Sequence, residues 1–220
     1  MLLTTDAIVL SLQPHSDKAH ILHAYTRAGG RVNYMVYGLG RKHAIGMYTP
    51  LSLIQITANH SSLQGGDGGR LPTIKEASPL SVASPLNNNQ SLLTPNIYKQ
   101  TISLFIAEVL YHVLRHPMVD EPMFDFLVES IKELNSLPSS PNTLIPSSPN
   151  PLSNFHLRFL VDFAAKLGFA MPESPTPLTS NPLTRAERQR TLKALCDYFA
   201  EHVETWETPK SLDVLIEVFD

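Results

Sequence analysis

The order of apolar and polar positions divides the chain into two regimes. From residue 6 to residue 76 the pattern has the short period of strands. "DAIVLSL" (6–12) is an apolar run bounded by Pro14, and "AHILHAYT" (Ala19–Thr26) alternates before the turn "RAGG". "RVNYMVYG" alternates strictly, with Val32, Tyr34 and Val36 on one face and Asn33, Met35 and Tyr37 on the other. "LSLIQITA" (Leu51–Ala58) predicts a fourth strand and "GRLPTIKEA" a fifth, with the run Gly65–Gly69 turning the chain between them.

From about residue 97 the period becomes helical. "YKQTISLFIAEVLYHVLRH" (Tyr98–His116) is apolar on nearly all sides between Ile102 and Leu114, as a helix in the middle of a bundle would be. "DEPMFDFLVESIKELNSL" predicts a second helix with Asp120 as its N-cap. "NFHLRFLVDFAAKLGF" predicts a third, capped by Ser153 or Asn154 and ended by Gly168. "TRAERQRTLKALCDYFAEHVETW" opens on Thr184 with Glu187 three residues later, a capping box, and "SLDVLIEVF" closes the chain as a short fifth helix.

These patterns predict an α+β (multi-domain) chain: an N-terminal five-stranded β-barrel of the OB-fold type over 1–78, a linker over 79–96, and an α-helical bundle over 97–220. Five strands within a short length, joined by Gly-rich turns, are the signature of that Greek-key barrel, whose open face commonly binds single-stranded nucleic acid. The segment 137–152 carries "PSSPN" twice and has neither core residues nor helix formers, so it is expected to be an exposed, flexible loop.

Charge sharpens this division. Residues 1–78 hold seven Lys/Arg against four acids, net +3, while residues 79–220 hold ten against sixteen, net −6. A basic front half on an acidic rear half points to an anionic partner for the front. A single cysteine, Cys196, excludes a disulfide framework and a Cys-based zinc site within the chain, and it is expected to be a core residue. With no signal peptide and no spanning stretch of roughly 18 apolar residues, a cytoplasmic, nucleoid-associated location is expected and no membrane.

The stretch "GLGRK" (38–42) resembles a phosphate loop only superficially. It lacks the Gly-x4-Gly-Lys-Ser/Thr spacing, and no third glycine and helix follow as a dinucleotide cradle requires. Two readings remain: a strand-end turn with solvated charges, or a basic rim loop that contacts nucleic-acid phosphates. In the second, Arg27, Arg31, Arg41 and Lys42 gather around one hairpin, joined by Lys18, Arg70 and Lys75, and Tyr34 or Tyr37 offers a surface for base stacking.

Other clusters carry less. Glu108, His112 and His116 share one helical stripe, but the spacing is not His-Glu-x-x-His and C-terminal capping accounts for the histidines. "RAERQR" (Arg185–Arg190) reads as a solvated helix face. No nucleophile elbow and no activated cysteine is present, so the expectation is a protein that is not an enzyme and needs no metal or cofactor.

In their order, these segments resemble the bacterial recombination mediator family RecO. The resemblance rests on "AIVL", "YTRAGGRVNYMVYG", "GLGRK", "YTPLSLIQI", "GGDGGRLPTIKEA", "FIAEVLYHVLRHPMVDEPMFDFLVESIKEL", "NFHLRFLVDFAAKLGF" and "PKSLDVLIEVF", and it covers nearly the whole chain. It implies an OB-fold followed by helices, binding of single- and double-stranded DNA, and annealing of complementary strands. It also implies work alongside RecR and single-strand-binding protein when that protein gives way to recombinase in recombinational DNA repair. A protein-protein adaptor barrel that binds no DNA is the alternative. Where many members carry a four-cysteine zinc module, this chain has "AMPESPTPLTSNPLT", so no zinc module is expected. The family's recruitment of the acidic, apolar-ended tail of single-strand-binding protein makes Phe155, Arg158 and Phe159, with Arg115, the candidate groove; core burial of the phenylalanines is the competing reading.

Overall fold

Strict alternation in the front half produces a barrel wall. The computed structural model describes residues 2–40, 45–59, 71–80, 96–138, 152–170 and 183–219. Strands β1 (Leu2–Ser16), β2 (Ala19–Thr26), β3 (Gly30–Tyr37), β4 (Leu53–Asn59) and β5 (Thr73–Pro79) close in the order β1-β2-β3-β5-β4. All neighbours are antiparallel except β3 and β5, which meet in parallel at Met35 and Thr73. This is the five-stranded Greek-key barrel of the OB type.

β1 is long because it serves two partners. Leu2–Ile8 pair with β4 and Ala7–Ser16 with β2, with a register shift between Val9 and Ser11. Val9 still bonds to Leu51 and Ser52 just before β4, and beyond it no described strand pairs with that edge. Pro14 stays within β1, paired with His20 of β2, so the strand runs on to Ser16 rather than stopping there.

The barrel core takes every second side chain: Leu22 and Ala24 from β2, Val32, Tyr34 and Val36 from β3, Ile54, Ile56 and Ala58 from β4. Gly38 and Gly40, both with positive φ, turn the chain after β3. One turn of 3-10 helix (Ile45–Tyr48) then precedes β4, where the sequence pattern predicted a strand directly, and Tyr48 seals the core at 3% exposure.

The chain divides into two compact units, Met1–Asn89 with Leu114–Val128, and Gln90–Val113 with Glu129–Asp220. Residues 114–128, which the periodicity groups with the helices, thus belong with the barrel. Helix α1 (Ile97–Val113) lies in the second unit, and helix α2 (Glu121–Ser136) contributes its first half to the barrel unit. Asp120 caps α2 as predicted, its Oδ1 accepting the Met123 N–H at 2.9 Å. Phe124 on α2 stacks against Tyr25, with ring centroids 6.3 Å apart.

The second unit also holds α3 (Phe155–Lys166), α4 (Arg185–His202) and α5 (Leu212–Val218). Its core includes Phe105 and Leu110 of α1, Leu160 and Phe163 of α3, and Leu195 and Phe199 of α4. The capping box of α4 is present, with Glu187 N–H donating to Thr184 Oγ1 and Thr184 N–H to Glu187 Oε2. Asn154 stands at the N-cap of α3 but makes no side-chain cap bond. The Leu-Gly-Phe turn ends α3, Phe169 N–H returning to Ala164 O at 3.1 Å. Cys196 is buried, and burial pushes its thiol up to about 12. No described helix is long and apolar enough to cross a membrane.

Candidate nucleic-acid interface

β3 orders the described part of the cation group that the sequence suggests. Gly30 begins it at the hairpin that carries Arg27, and Tyr37 ends it. Eight strand residues span about 23 Å at ~3.3 Å per step. Arg41 and Lys42 lie outside the described residues, as does Arg70.

At the Tyr37 end the register builds a different group. Tyr37 points outward, half exposed, and pairs with Ala19. Lys18, in the tight turn before Ala19, is exposed on one side of it. On the other side, β5 runs parallel to β3 from the Met35–Thr73 pair, so Lys75 follows Thr73 as Tyr37 follows Met35. Lys75 is the extra residue of a bulge against β4, where Ala58 faces Ile74 and Thr57 faces Glu76, and its side chain is exposed. An exposed aromatic ring with an exposed lysine on each neighbouring segment has the composition of a stacking platform with phosphate contacts.

Tyr34 is a correction. It is 0% exposed within the barrel core, and burial pushes its phenol up to about 12. Its alternation with Val32 and Val36 places it inside, so it offers no ring to a base. Arg27 is partly exposed and already paired: its guanidinium donates to Asp125 Oδ1 at 2.6 Å and lies 4.5 Å over the Phe124 ring. No local signal in the sequence joins residues 98 positions apart. Arg31 is partly buried; burial first, and then the Arg31 charge, hold His23 below the ordinary histidine range, against the hydrogen bond that its Nδ1–H donates to Asn33 Oδ1.

The hairpin between β2 and β3 is fixed closely. Gly29 N–H donates to Thr26 Oγ1, which donates in turn to Gly30 O, each at 3.1 Å. Gly30 has φ +62°, and a Cβ there would lie 2.2 Å from Met118 O. Only glycine lets the segment before α2 lie against this turn.

In the helical unit the proposed peptide groove is not formed by the phenylalanines. Phe155 and Phe159 are 2% and 4% exposed, part of the core, because the helical spacing that pairs them also turns them inward. Arg158 is on the surface, ion-paired with Glu133, its guanidinium 5.7 Å from the Phe155 ring. Arg115 is exposed and belongs to the barrel unit. Glu108 caps the α5 entry, accepting from Ser211 N–H at 2.8 Å and Ser211 Oγ at 2.5 Å. His112 faces Glu207 with 3.8 Å between Nδ1 and Oε2.

A closed Greek-key barrel with an outward aromatic flanked by lysines defines an OB-type barrel protein with an appended helical unit. Residues 1–82 match the family described as "Recombination protein O N terminal". Over its whole length the chain is similar to proteins named DNA repair protein RecO: 28% identical to that of Phocaeicola vulgatus, 27% to that of Flavobacterium johnsoniae and 26% to that of Porphyromonas gingivalis, each covering 100% of both chains. Its first 82 residues thus match the RecO N-terminal family, and the chain as a whole is similar to RecO proteins.

Proposed function

We propose that this protein is a DNA-binding mediator of recombinational DNA repair whose barrel holds single strands at Tyr37, Lys18 and Lys75. The repair role rests on the family, whose members are named for it. What supports the binding mode is the exposed Tyr37 ring on β3, with exposed Lys18 and Lys75 on the segments that neighbour it on either side. Stacking on one base is sequence-tolerant, since every base has a π-face, and the two ammonium groups neutralise flanking phosphates.

From this follows a role in annealing complementary single strands and helping recombinase replace single-strand-binding protein. Annealing breaks and makes no covalent bond, so it requires charge neutralisation and accessible bases rather than a catalytic group. Arg41, Lys42 and Arg70 extend the proposed contact set, with Arg31; Arg27 joins it only by leaving Asp125. Double-stranded DNA is held through phosphates alone. RecR and the tail of single-strand-binding protein are the proposed protein partners, with Arg115 and Arg158 as cations for the acidic tail. The setting is the cytoplasm, at the nucleoid.

An annealing assay on complementary strands coated with single-strand-binding protein tests this. The intact chain should accelerate annealing, and the triple variant Lys18→Ala, Tyr37→Ala, Lys75→Ala should lose most of the acceleration. Equal activity in both would reject the assignment. A barrel that serves as a protein adaptor is the second reading, favoured by the commitment of Arg27 to Asp125; it predicts no detectable binding of single strands at low salt.

A further inference from the structure

Helices α1 and α5 run antiparallel beside one another in the helical unit. Glu108 of α1 holds Ser211 at the start of α5, and the Tyr98 ring lies 5.3 Å from that of Phe219 at its end. Val214, near the middle of α5, is therefore level with Leu104. Helical spacing turns one stripe of each helix towards the other: Ile97, Thr101, Leu104 and Glu108 on α1, Ser211, Val214 and Val218 on α5.

The seam between these stripes is closed below and open above. Thr101 and Ser211 are buried, whereas Ile97, Leu104 and Val214 are 55%, 40% and 45% exposed. One exposed apolar side chain needs no explanation, but three aligned along one seam mark an interaction surface.

The charges beside the seam decide what fits it. Lys210 and Glu217 are seven residues apart, about two helical turns, and border Val214 on the side away from Ser211 and α1. Both are exposed, and neither has an ion-pair partner among the described residues. The same edge thus carries a cation at one end and an anion at the other. A uniformly acidic or uniformly basic partner would match one and be repelled by the other. A second copy of this chain, turned end for end about a two-fold axis at Val214, matches both. Asp213 lies about 100° round the helix from Val214, on the outer side of α5, and does not enter this contact.

We propose that the α1–α5 seam is a self-association surface through which two copies of the chain form a symmetric dimer. Val214 and Leu104 of each copy pack on those of the other near the axis, with Ile97 beside them. Lys210 of each copy meets Glu217 of the other, so two ion pairs close the outer edge. The apolar patch is small, and the dimer is accordingly weak, with a dissociation constant on the order of 10–100 µM.

Sedimentation velocity of the full chain without DNA tests this, and its outcome does not depend on what the barrel binds. Between about 5 and 300 µM the average mass should rise from that of one chain towards that of two, a range that brackets the expected constant. Lys210→Glu or Glu217→Lys alone should weaken association about tenfold, because symmetry places like charges at both ends of the edge at once. The combined swap Lys210→Glu with Glu217→Lys should restore it, which a merely misfolded variant would not do. Val214→Asp, at an exposed position, should leave the circular dichroism spectrum unchanged and abolish the dimer. A chain that stays monomeric throughout, as it would if the seam served a different partner, would overturn the proposal. So would a double swap that fails to restore association, or a dimer indifferent to Val214→Asp.

Discussion

Arg27 on the β2–β3 hairpin and Asp125 on α2 are joined by a 2.6 Å hydrogen-bonded ion pair, with Arg27 also over the Phe124 ring. One of the barrel's seven front-half cations is thereby engaged by an acid of its own unit. A phosphate that sought Arg27 would compete with a carboxylate already in place.

Removing that competitor should matter more for DNA than for folding. The pair is partly exposed, so Asp125→Ala should cost at most about 1 kcal/mol in urea denaturation. The released guanidinium should strengthen binding of single strands at low salt. A variant that is destabilised severely, or whose DNA affinity falls, would contradict the arrangement.

The two tyrosines of β3 should behave oppositely. Tyr34→Ala empties a fully buried site and should cost about 3–5 kcal/mol of stability, as large core truncations do. Tyr37→Ala should leave stability within about 0.5 kcal/mol and reduce affinity for single strands by about 1–3 kcal/mol. Chemical denaturation beside fluorescence anisotropy separates the two effects.

Gly30→Ala should destabilise the barrel unit by more than the ~1–2 kcal/mol that a left-handed backbone costs a residue with a Cβ. The added atom would overlap Met118 O, which is backbone and has little freedom to give way. A denaturation midpoint equal to that of the intact chain would show that the segment before α2 does not press on this turn.

Acid should destabilise the fold through His156. Its folded pKa, about 3, lies below the unfolded 6.5, so the unfolded chain binds the extra proton. Its contribution is fully present above 6.5 and is lost as pH falls from 6.5 towards 3, reaching about 2 kcal/mol by pH 5. The lowered pKa of His23 acts in the same direction. Denaturation at several pH values should show a shallower acid slope in His156→Leu; an unchanged slope would contradict the buried neutral imidazole.

The legible part of this protein was the part governed by local period. β2 falls on Ala19–Thr26 as the alternation predicts, and the inward set Val32, Tyr34, Val36 is readable from "RVNYMVYG". The same rule that built the strand also removed Tyr34 from the candidate site, because a ring between two valines of one face is a core ring. Capping chemistry was equally local, in Asp120 and in Thr184 with Glu187. What stayed hidden depends on register and distance: the Lys18–Tyr37–Lys75 group exists only once β2 and β5 are laid beside β3. The grip of Asp125 on Arg27 and the orphan Nδ1 of His156 arise from packing between distant segments, which no periodicity encodes.

The central claim is that the Tyr37 end of the barrel binds single-stranded DNA through one stacked base and flanking phosphates. Its most direct test is the dependence of the dissociation constant on salt, measured for the intact chain, for Lys18→Ala with Lys75→Ala, and for Tyr37→Ala. The double lysine variant should lower the log–log slope by about 1.4, close to 0.7 for each phosphate that a lysine no longer neutralises. Tyr37→Ala should weaken binding at every salt concentration and leave the slope unchanged. A slope that is the same in the intact chain and the double lysine variant would contradict the claim.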